Sequence, residues 1–272
     1  MRCMPDFGLV FYNLPGHDLE RFVTFASESG FTCAEIPVTR IWDHGDLDVA
    51  QAQARALHEL LAAHGMHLSA LSAGNDFIQP DDSALAAQVD RLCEICRLAR
   101  LAGTSMVRID GGHPKDTVAE DHWFTRIVQG LRQIRPFIEA EGFTLALDNH
   151  GLVTNDADFQ ARVFDAVGSP NLGANLDTMN YRWRGHDLPT VERFYRVIAP
   201  YVRHTHIKDG RGSRATYQGT VLGQGELNLL SALDALVAVS YRGPWLVEYE
   251  GQTDHEAGYR AGLDWLHAHV LA

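Results

Sequence analysis

Four short strand-like segments in the second half of the chain each carry one metal-capable side chain near their C-terminal end. These residues are Asp148, Asp177, His206 and Glu248, separated by 29, 29 and 42 residues. One strand-and-helix unit of an eight-stranded parallel barrel takes up about 31 residues, so this spacing brings the ends of successive strands to the same rim. Three carboxylates and one imidazole on one rim predict a site for one divalent cation, namely Mn²⁺, Mg²⁺, Co²⁺ or Zn²⁺.

The elements that would position these residues recur about eight times along the chain. Each repeat has an amphipathic helix, a glycine, a short aliphatic or β-branched run and a polar loop. This alternation is typical of an α/β protein with a parallel sheet, and eight repeats predict a closed (β/α)8 barrel, or TIM barrel. The predicted strands are residues 7–12, 32–36, 67–72, 105–109, 144–147, 172–176, 202–207 and 245–249.

Apolar residues at helical spacing predict the helices between these strands. The predicted helices are residues 18–29, 47–64, 83–102, 121–141, 156–167, 188–199, 227–240 and 253–268. Glycines follow several of them, where a residue with positive φ commonly ends a helix. The glycines expected in this role are Gly30, Gly65, Gly103, Gly142, Gly168 and Gly243.

The composition favours a single domain over residues 1–272. Hydrophobic residues make up 46% of the chain, enough for a large core, and no low-complexity linker divides it. The formal net charge of −12 argues against a nucleic-acid partner, because affinity for a phosphate backbone comes largely from Lys and Arg. The sequence has no signal-peptide pattern and no run of about 18 apolar residues, so we expect no membrane partner and a cytoplasmic location.

Two connections exceed the usual length of about two to six residues. They are residues 37–46 and residues 209–226, and both follow predicted strands, so both are expected over the rim that carries the metal-capable residues. The second connection contains Arg211, Arg214, Tyr217 and several glycines. This content favours a mobile lid or a substrate clamp, with Arg211 as a substrate-binding residue.

Several motifs in the second half of the chain resemble those of the xylose-isomerase-like TIM barrels. This superfamily includes sugar and sugar-phosphate isomerases and epimerases, inosose dehydratases and endonuclease IV. The resemblance is strongest between Thr144 and Gly251. The motifs are Leu-Asp-Asn-His-Gly, Asn-Leu-Asp-Thr-Met-Asn, His-Thr-His-Ile-Lys-Asp, Gly-Gln-Gly-Glu-Leu-Asn-Leu and Trp-Leu-Val-Glu-Tyr-Glu.

The resemblance implies that Asp148, Asp177, His206 and Glu248 are metal ligands, and that the first and last also act on substrate protons. It further implies that Asn180, at a position that is often His, binds substrate or a second metal. The family's first ligand is usually Glu, whereas Asp148 is one methylene shorter and reaches less far by about one C–C bond. Glu248 keeps its full length and is therefore the favoured base.

Other polar residues at predicted strand ends are candidates for substrate binding. Glu35 ends the second strand, where packing alone does not explain a carboxylate. His150 is expected to orient a ligand or to bind substrate, and Lys208 to bind substrate or to pair with Asp209. The full set of candidates is Glu35, Asn75, His113, His150, Asn180, Lys208 and Arg211.

The leading hypothesis is a divalent-metal-dependent isomerase or epimerase of a small carbohydrate, which is a sugar, a sugar phosphate or a keto acid. Such an enzyme removes a proton next to a carbonyl group and stabilises the enediolate with a cation. A dehydratase of a keto-inositol or related keto-polyol needs the same groups, so the ligand set does not separate the two reactions. A third hypothesis is a non-catalytic sugar-binding or partner-subunit protein. The acidic charge and Asn180 disfavour a nuclease, and a homo-oligomer is common in families that resemble this one.

Overall fold

Ten strands are present in the computed structural model, which describes residues 5–270. They are β1 Phe7–Val10, β2 Cys33–Pro37, β3 His67–Ser72, β4 Met106–Ile109, β5 Thr144–Asp148, β6 Leu172–Asp177, β7 Val202–Ile207, β8 Asp209–Arg211, β9 Gln218–Thr220 and β10 Trp245–Val247. Eight of them close a parallel barrel in the order β1-β10-β7-β6-β5-β4-β3-β2, and β8 and β9 form an antiparallel hairpin. The predicted (β/α)8 TIM barrel is therefore confirmed, and residues 1–4 and 271–272 of the predicted domain lie outside the described residues.

Long helices cover the outside of the barrel. The helices are α1 Leu19–Glu28, α2 Leu47–Ala63, α3 Asp82–Leu101, α4 Trp123–Glu141, α5 Ala157–Val167, α6 Asn180–Arg184, α7 Leu188–Ile198, α8 Leu229–Ala238 and α9 His255–Val270, of which the short α6 belongs to the connection after β6. Short 3₁₀ turns lie at Val38–Arg40, Glu120–His122 and Ala199–Tyr201. Across residues 5–270, no helix combines the length and apolar character that crossing a membrane requires.

The sequence of α7 illustrates how the outer layer forms. Its buried residues are Val191, Phe194, Tyr195 and Ile198, which repeat at the spacing of one helix face. The Asp187 side chain accepts a hydrogen bond from the Thr190 amide at 2.9 Å and caps the N-terminus. The apolar face packs on the barrel, and the Tyr195 hydroxyl donates to the Thr178 carbonyl just beyond β6 at 2.7 Å.

Five of the six predicted helix-ending glycines have positive φ, and the prediction for Gly243 is wrong. Helix α8 ends at Ala238, earlier than expected, and Ser240 takes the left-handed conformation with φ of 57°. The Tyr241 amide then donates to the Leu236 carbonyl at 3.0 Å, which closes the helix before Gly243 is reached.

Residues 209–226, for which we expected a mobile lid or a substrate clamp, contain the β8–β9 hairpin and the turn that follows it. The Asp209 carboxylate organises this segment, because its Oδ1 accepts from the Gly210 amide at 2.8 Å and its Oδ2 accepts from the Gly223 and Gly225 amides at 2.9 Å each. A Cβ atom at Gly225 would collide with the same carboxylate. These contacts tie the segment together internally, and its role as a lid or a clamp stays a prediction.

Strand register sets the depth of the polar residues inside the barrel. Asp148 at the end of β5 lies in register with Asn175 on β6, and Asn175 lies opposite His204 on β7. Asp177 lies two residues beyond Asn175 and opposite His206. Because side chains two residues apart point to the same face, two successive sets of polar groups line the C-terminal half of the barrel.

We expect Gly173→Ala to destabilise the protein by about 1–3 kcal/mol, as overpacking a tight site commonly does. A Cβ atom at Gly173, on the strand that carries Asp177, would collide with the Tyr201 carbonyl oxygen and the Arg203 side chain. Gly45→Ala is the matched control, because no heavy atom lies within 4 Å of its Cβ position. Urea unfolding measures both free energies, and equal values would contradict this description of β6.

Candidate metal centre and substrate cavity

Three of the four predicted ligands converge at the C-terminal end of the barrel. Asp177, His206 and Glu248 each offer one ligand atom, and these atoms lie within 4.8 Å of one another. Asp177 ends β6 and His206 lies near the end of β7, while Glu248 directly follows β10. All three side chains are buried, and Glu248 is the most accessible, with 9% of its surface exposed against 1% for the other two.

The orientation of His206 is set by Glu35, a buried residue on β2 inside the barrel. His206 Nε2 lies 2.7 Å from Glu35 Oε2 and donates to it in the neutral ring, so Nδ1 carries the lone pair. Nδ1 faces Glu248 Oε2 at 2.9 Å. A carboxylate behind the ring is the usual support of a metal-binding histidine.

The contact between His206 and Glu248 fits two ligands of one cation. Nδ1 has no hydrogen-bond partner of acceptable geometry among the described residues, although it is buried. Two donor atoms about 2.1 Å from one ion, at about a right angle, are separated by about 3.0 Å. Burial lowers the pKa of His206, but Glu35 and Glu248 outweigh it and raise the pKa well above its ordinary value. A cation would take the place of the proton on Nδ1.

A second group of metal-capable residues, formed by Glu35, His204 and His206, fits a cation poorly. His204 Nδ1 already lies 2.9 Å from Asn175 Oδ1, and its Nε2 lies 3.2 Å from Ser69 Oγ. Burial lowers the pKa of His204 to about 4, so its ring is neutral and supports Asn175. The ligand atoms of this group are engaged with one another and with the protein.

Asp148 lies apart from the three converging ligands. Its Oδ2 pairs with Arg108 Nη2, and its Oδ1 accepts from Asn175 Nδ2 at 2.8 Å. Burial raises the pKa of Asp148, but Arg108, His206, His150 and Asn175 together outweigh burial and hold the pKa below its ordinary value. The register with Asn175 and the short side chain explain why this carboxylate stops below the level of Asp177. Each oxygen keeps a second lone pair, so the predicted ligand role of Asp148 stays a prediction.

Four buried carboxylates and two cations make up the charged cluster. The carboxylates are Glu35, Asp148, Asp177 and Glu248, and the cations are Arg108 and Lys208. With His206 neutral, these groups keep an excess of negative charge, and Asp110 beside Arg108 and Glu250 beside Lys208 add to it, so a divalent cation is electrostatically favoured here. Burial raises the pKa of Asp177 to about 7, although Lys208 opposes this shift. The residues present therefore fit a divalent cation held by Asp177, His206 and Glu248.

Lys208 connects this cluster to an open cavity. Its Nζ lies 2.8 Å from Asp177 Oδ2, 3.2 Å from Glu248 Oε1 and 3.5 Å from Glu250 Oε1. The cavity has a volume of about 350 Å³. Its lining consists of Tyr12, Asn13, His150, Gly151, Asn180, Trp183, Lys208, Tyr217 and Glu250.

The predicted substrate-binding residues lie in three places. His150, Asn180 and Lys208 line the cavity, and Glu35 is buried against His206. Three others lie elsewhere. Asn75 is buried and exchanges hydrogen bonds with the Asp110 backbone, His113 is exposed, and Arg211 donates to the Gln224 carbonyl at 2.6 Å. Their substrate-binding roles stay predictions.

Our sequence-based list of site residues omits several groups that the structure brings to the cavity or its cluster. Tyr12, Asn13 and Glu250 follow strands β1 and β10 by two or three residues, so a wider strand-end window would have included them. Trp183 lies on α6, a short helix that the sequence pattern did not predict. Arg108 contacts Asp148 across 40 residues of chain, and no local pattern indicates that pairing.

We expect Asp177→Asn to weaken binding of Mn²⁺ by at least about tenfold more than Asp148→Asn does. Asp177 belongs to the converging group, whereas both oxygens of Asp148 are already hydrogen-bonded. Calorimetric titration of the metal-free protein with Mn²⁺ measures both affinities, and the two substitutions remove the same charge. Equal losses would place Asp148 among the ligands on the same footing as Asp177.

Comparisons with known proteins agree with this architecture. Over residues 23–269 the chain matches the family described as xylose isomerase-like TIM barrel. A search of curated proteins finds no match. The similar solved structures include D-psicose 3-epimerase with D-tagatose from Clostridium cellulolyticum, at 14% identity over 97% of this chain and 99% of that chain with a TM-score of 0.79. They also include L-ribulose 3-epimerase, at 20% identity over 98% and 95% with a TM-score of 0.76.

A third similar structure is the IOLI protein with a zinc atom, at 16% identity over 97% of this chain and 98% of that chain with a TM-score of 0.79. At these identities, the solved structures support the fold alone. The family match covers most of the chain and agrees with the motifs at the ends of β5, β6, β7 and β10. The chain belongs to the xylose isomerase-like TIM barrel family.

Proposed function

We propose that the protein is a divalent-metal-dependent isomerase or epimerase that acts on a small carbohydrate containing a carbonyl group. The observation that carries this proposal is the buried 2.9 Å contact between His206 Nδ1, which has no hydrogen-bond partner among the described residues, and Glu248 Oε2. Glu248 in turn contacts Lys208, which lines a polar cavity. Sugar epimerases with the same fold support the choice of reaction class.

In this proposal Asp177, His206 and Glu248 hold the cation. A bound divalent cation would polarise the substrate carbonyl and stabilise the negative charge that develops when the neighbouring proton is removed. Glu35 keeps His206 in the ring orientation that presents Nδ1, and the amides of Met179 and Asn180 fix Asp177 Oδ1 at 2.9 Å each. These contacts make the ligand set rigid before substrate arrives.

Glu248 is the proposed base. It is the most accessible of the four buried carboxylates, and its Oε1 lies beside Lys208, which lines the cavity. Burial raises the pKa of Glu248, but Lys208, His206 and Arg108 outweigh burial and lower it, so the side chain enters the reaction as the carboxylate. Lys208 contacts both Glu248 and Asp177 and reduces the repulsion between them.

Asp148 has a supporting role in this proposal. Arg108 and Asn175 hold its two oxygens, so its position is fixed and its charge is retained. The carboxylate is outside the cavity lining, and Asp148 is buried, with 1% of its surface exposed. We therefore assign the first proton transfer to Glu248 and give Asp148 the task of maintaining negative charge beneath the reacting carbon. His150 and Asn180, which line the cavity, bind substrate hydroxyl groups.

Exchange of a substrate proton with solvent tests the proposed reaction. The purified protein is loaded with Mn²⁺, Co²⁺ or Mg²⁺ and incubated in D₂O with a panel of ketoses, keto acids and keto-inositols. NMR then detects loss of the proton next to the carbonyl group before the product is identified. We expect exchange with at least one sugar, and chelation of the metal should abolish it. Loss of water from a keto-inositol without sugar exchange would assign the protein to the dehydratases.

We expect Glu248→Gln to lower the rate of this exchange by about 100-fold or more, because Gln keeps the size of the side chain but cannot take the proton. Glu59→Gln, on the exposed face of α2, is the control and should exchange at the unaltered rate. Each rate is measured at saturating metal, so that weaker metal binding does not account for the loss. An unchanged rate in Glu248→Gln would remove Glu248 from the mechanism.

A further inference from the structure

The charge of the cavity lining limits which carbohydrates it can accept. Among the residues that line it, Lys208 and His150 are the groups that can carry positive charge. Lys208 Nζ is held by Asp177, Glu248 and Glu250 at 2.8 to 3.5 Å, so its charge is already balanced. His150 is exposed to solvent, which screens any charge that it carries.

Glu250 places a carboxylate on the cavity wall. Its Oε1 lies 3.5 Å from Lys208 Nζ, and 19% of its side chain is exposed. Its backbone is fixed by the β8–β9 hairpin, because a Cβ atom at Gly219 would collide with the Glu250 carbonyl group. An ionised carboxylate accepts hydrogen bonds and donates none, so it can bind hydroxyl groups but not another anion.

Two arginines near the cavity are engaged with other partners. Arg182 Nε pairs with Glu226 Oε1, and Arg211 donates to the Gln224 carbonyl. The Arg214 backbone amide donates to the Trp183 carbonyl at 2.8 Å, and Arg214 is exposed. None of these three guanidinium groups lines the cavity. A bidentate arginine site for phosphate is therefore not formed by these residues.

The rest of the lining suits the surface of an uncharged sugar. Tyr12, Trp183 and Tyr217 offer aromatic faces, and Asn13 and Asn180 offer amide groups. The Tyr217 hydroxyl is buried close to Glu250, without a partner of full hydrogen-bond geometry among the described residues, so a ligand hydroxyl can bind there. The cavity volume of about 350 Å³ is at the small end of the range of about 300–1,000 Å³ for ligand sites, which fits a monosaccharide.

We infer that the cavity selects an unphosphorylated, uncharged monosaccharide with a ketone group, and that Glu250 is the residue that rejects anionic analogues. This inference rests on the proposed function for the identity of the reacting group. It narrows the substrate from sugars, sugar phosphates and keto acids to neutral ketoses. The repulsion between Glu250 and a phosphate or carboxylate group acts at short range and in a partly desolvated site, where it is weakly screened.

The test compares D-fructose with its terminal phosphate ester in the Mn²⁺-loaded protein. Calorimetry measures binding, and proton exchange in D₂O measures turnover. We expect the free sugar to bind about tenfold or more tightly than the ester. Glu250→Gln should bring this ratio close to one, whereas Glu250→Asp, which keeps the charge, should preserve it.

Glu256→Gln is the matched control, because it removes the same charge at the start of α9, outside the cavity lining, and should leave the ratio unchanged. Equal or tighter binding of the ester would overturn the inference, and so would a ratio that Glu250→Gln does not alter. If Arg214→Ala then weakened binding of the ester, Arg214 would be identified as the residue that binds its phosphate group. Preference for the free sugar without proton exchange would support this inference and contradict the proposed isomerase or epimerase activity.

Discussion

The hydrogen bond between Glu35 and His206 is the contact on which the rest of the candidate site depends. It joins β2 to β7 across the interior of the barrel, at 2.7 Å between buried atoms. Because Nε2 donates to Glu35, the other ring nitrogen, Nδ1, faces Glu248. The lone pairs of His206 Nδ1 and Glu248 Oε2 are then both available to one cation. Without Glu35 the imidazole could rotate or exchange its proton between nitrogens, and the ligand set would lose its fixed geometry.

Charge balance is the second constraint. A barrel interior that holds four carboxylates is stable only if cations neutralise them, since an unpaired buried charge is costly. Arg108 neutralises Asp148, and Lys208 neutralises the side of Asp177 and Glu248 that faces the cavity. Asp110 also pairs with Arg108, and Glu250 with Lys208, so the carboxylates around His206 keep an excess of negative charge. The ion pairs and the candidate metal site are thus parts of one electrostatic arrangement. Arg108 and Lys208 occupy some of the carboxylate oxygens, and a metal ion can bind only the oxygens that they leave available.

The fold and much of the rim could be predicted from the sequence because both follow from local patterns. Helical periodicity and strand-ending polar residues are visible in short windows, and these windows contain Asp177, His206 and Glu248. The depth of Asp148 could not be predicted in this way. It depends on the register of β5 against β6, which pairs Asp148 with Asn175, and on Arg108 from the neighbouring β4.

Turn chemistry explains the other differences between prediction and structure. The strands of the β8–β9 hairpin are three residues each, too short for an alternating pattern, and glycines occupy them for close packing on Tyr217 and Glu250. Ser240 takes the left-handed position that we expected at Gly243, because α8 closes through backbone hydrogen bonds before that glycine. In both places, long-range contacts or backbone geometry outweigh the residue preferences that a sequence displays.

The location of a bound cation is the most direct test of this account. Crystals grown with Mn²⁺ and measured for anomalous scattering would show where the ion lies relative to both nitrogens of His206. The account predicts one peak about 2.0–2.4 Å from His206 Nδ1 and from carboxylate oxygens of Asp177 and Glu248. A peak beside His206 Nε2, between Glu35 and His204, would contradict it, as would the absence of any peak at saturating Mn²⁺.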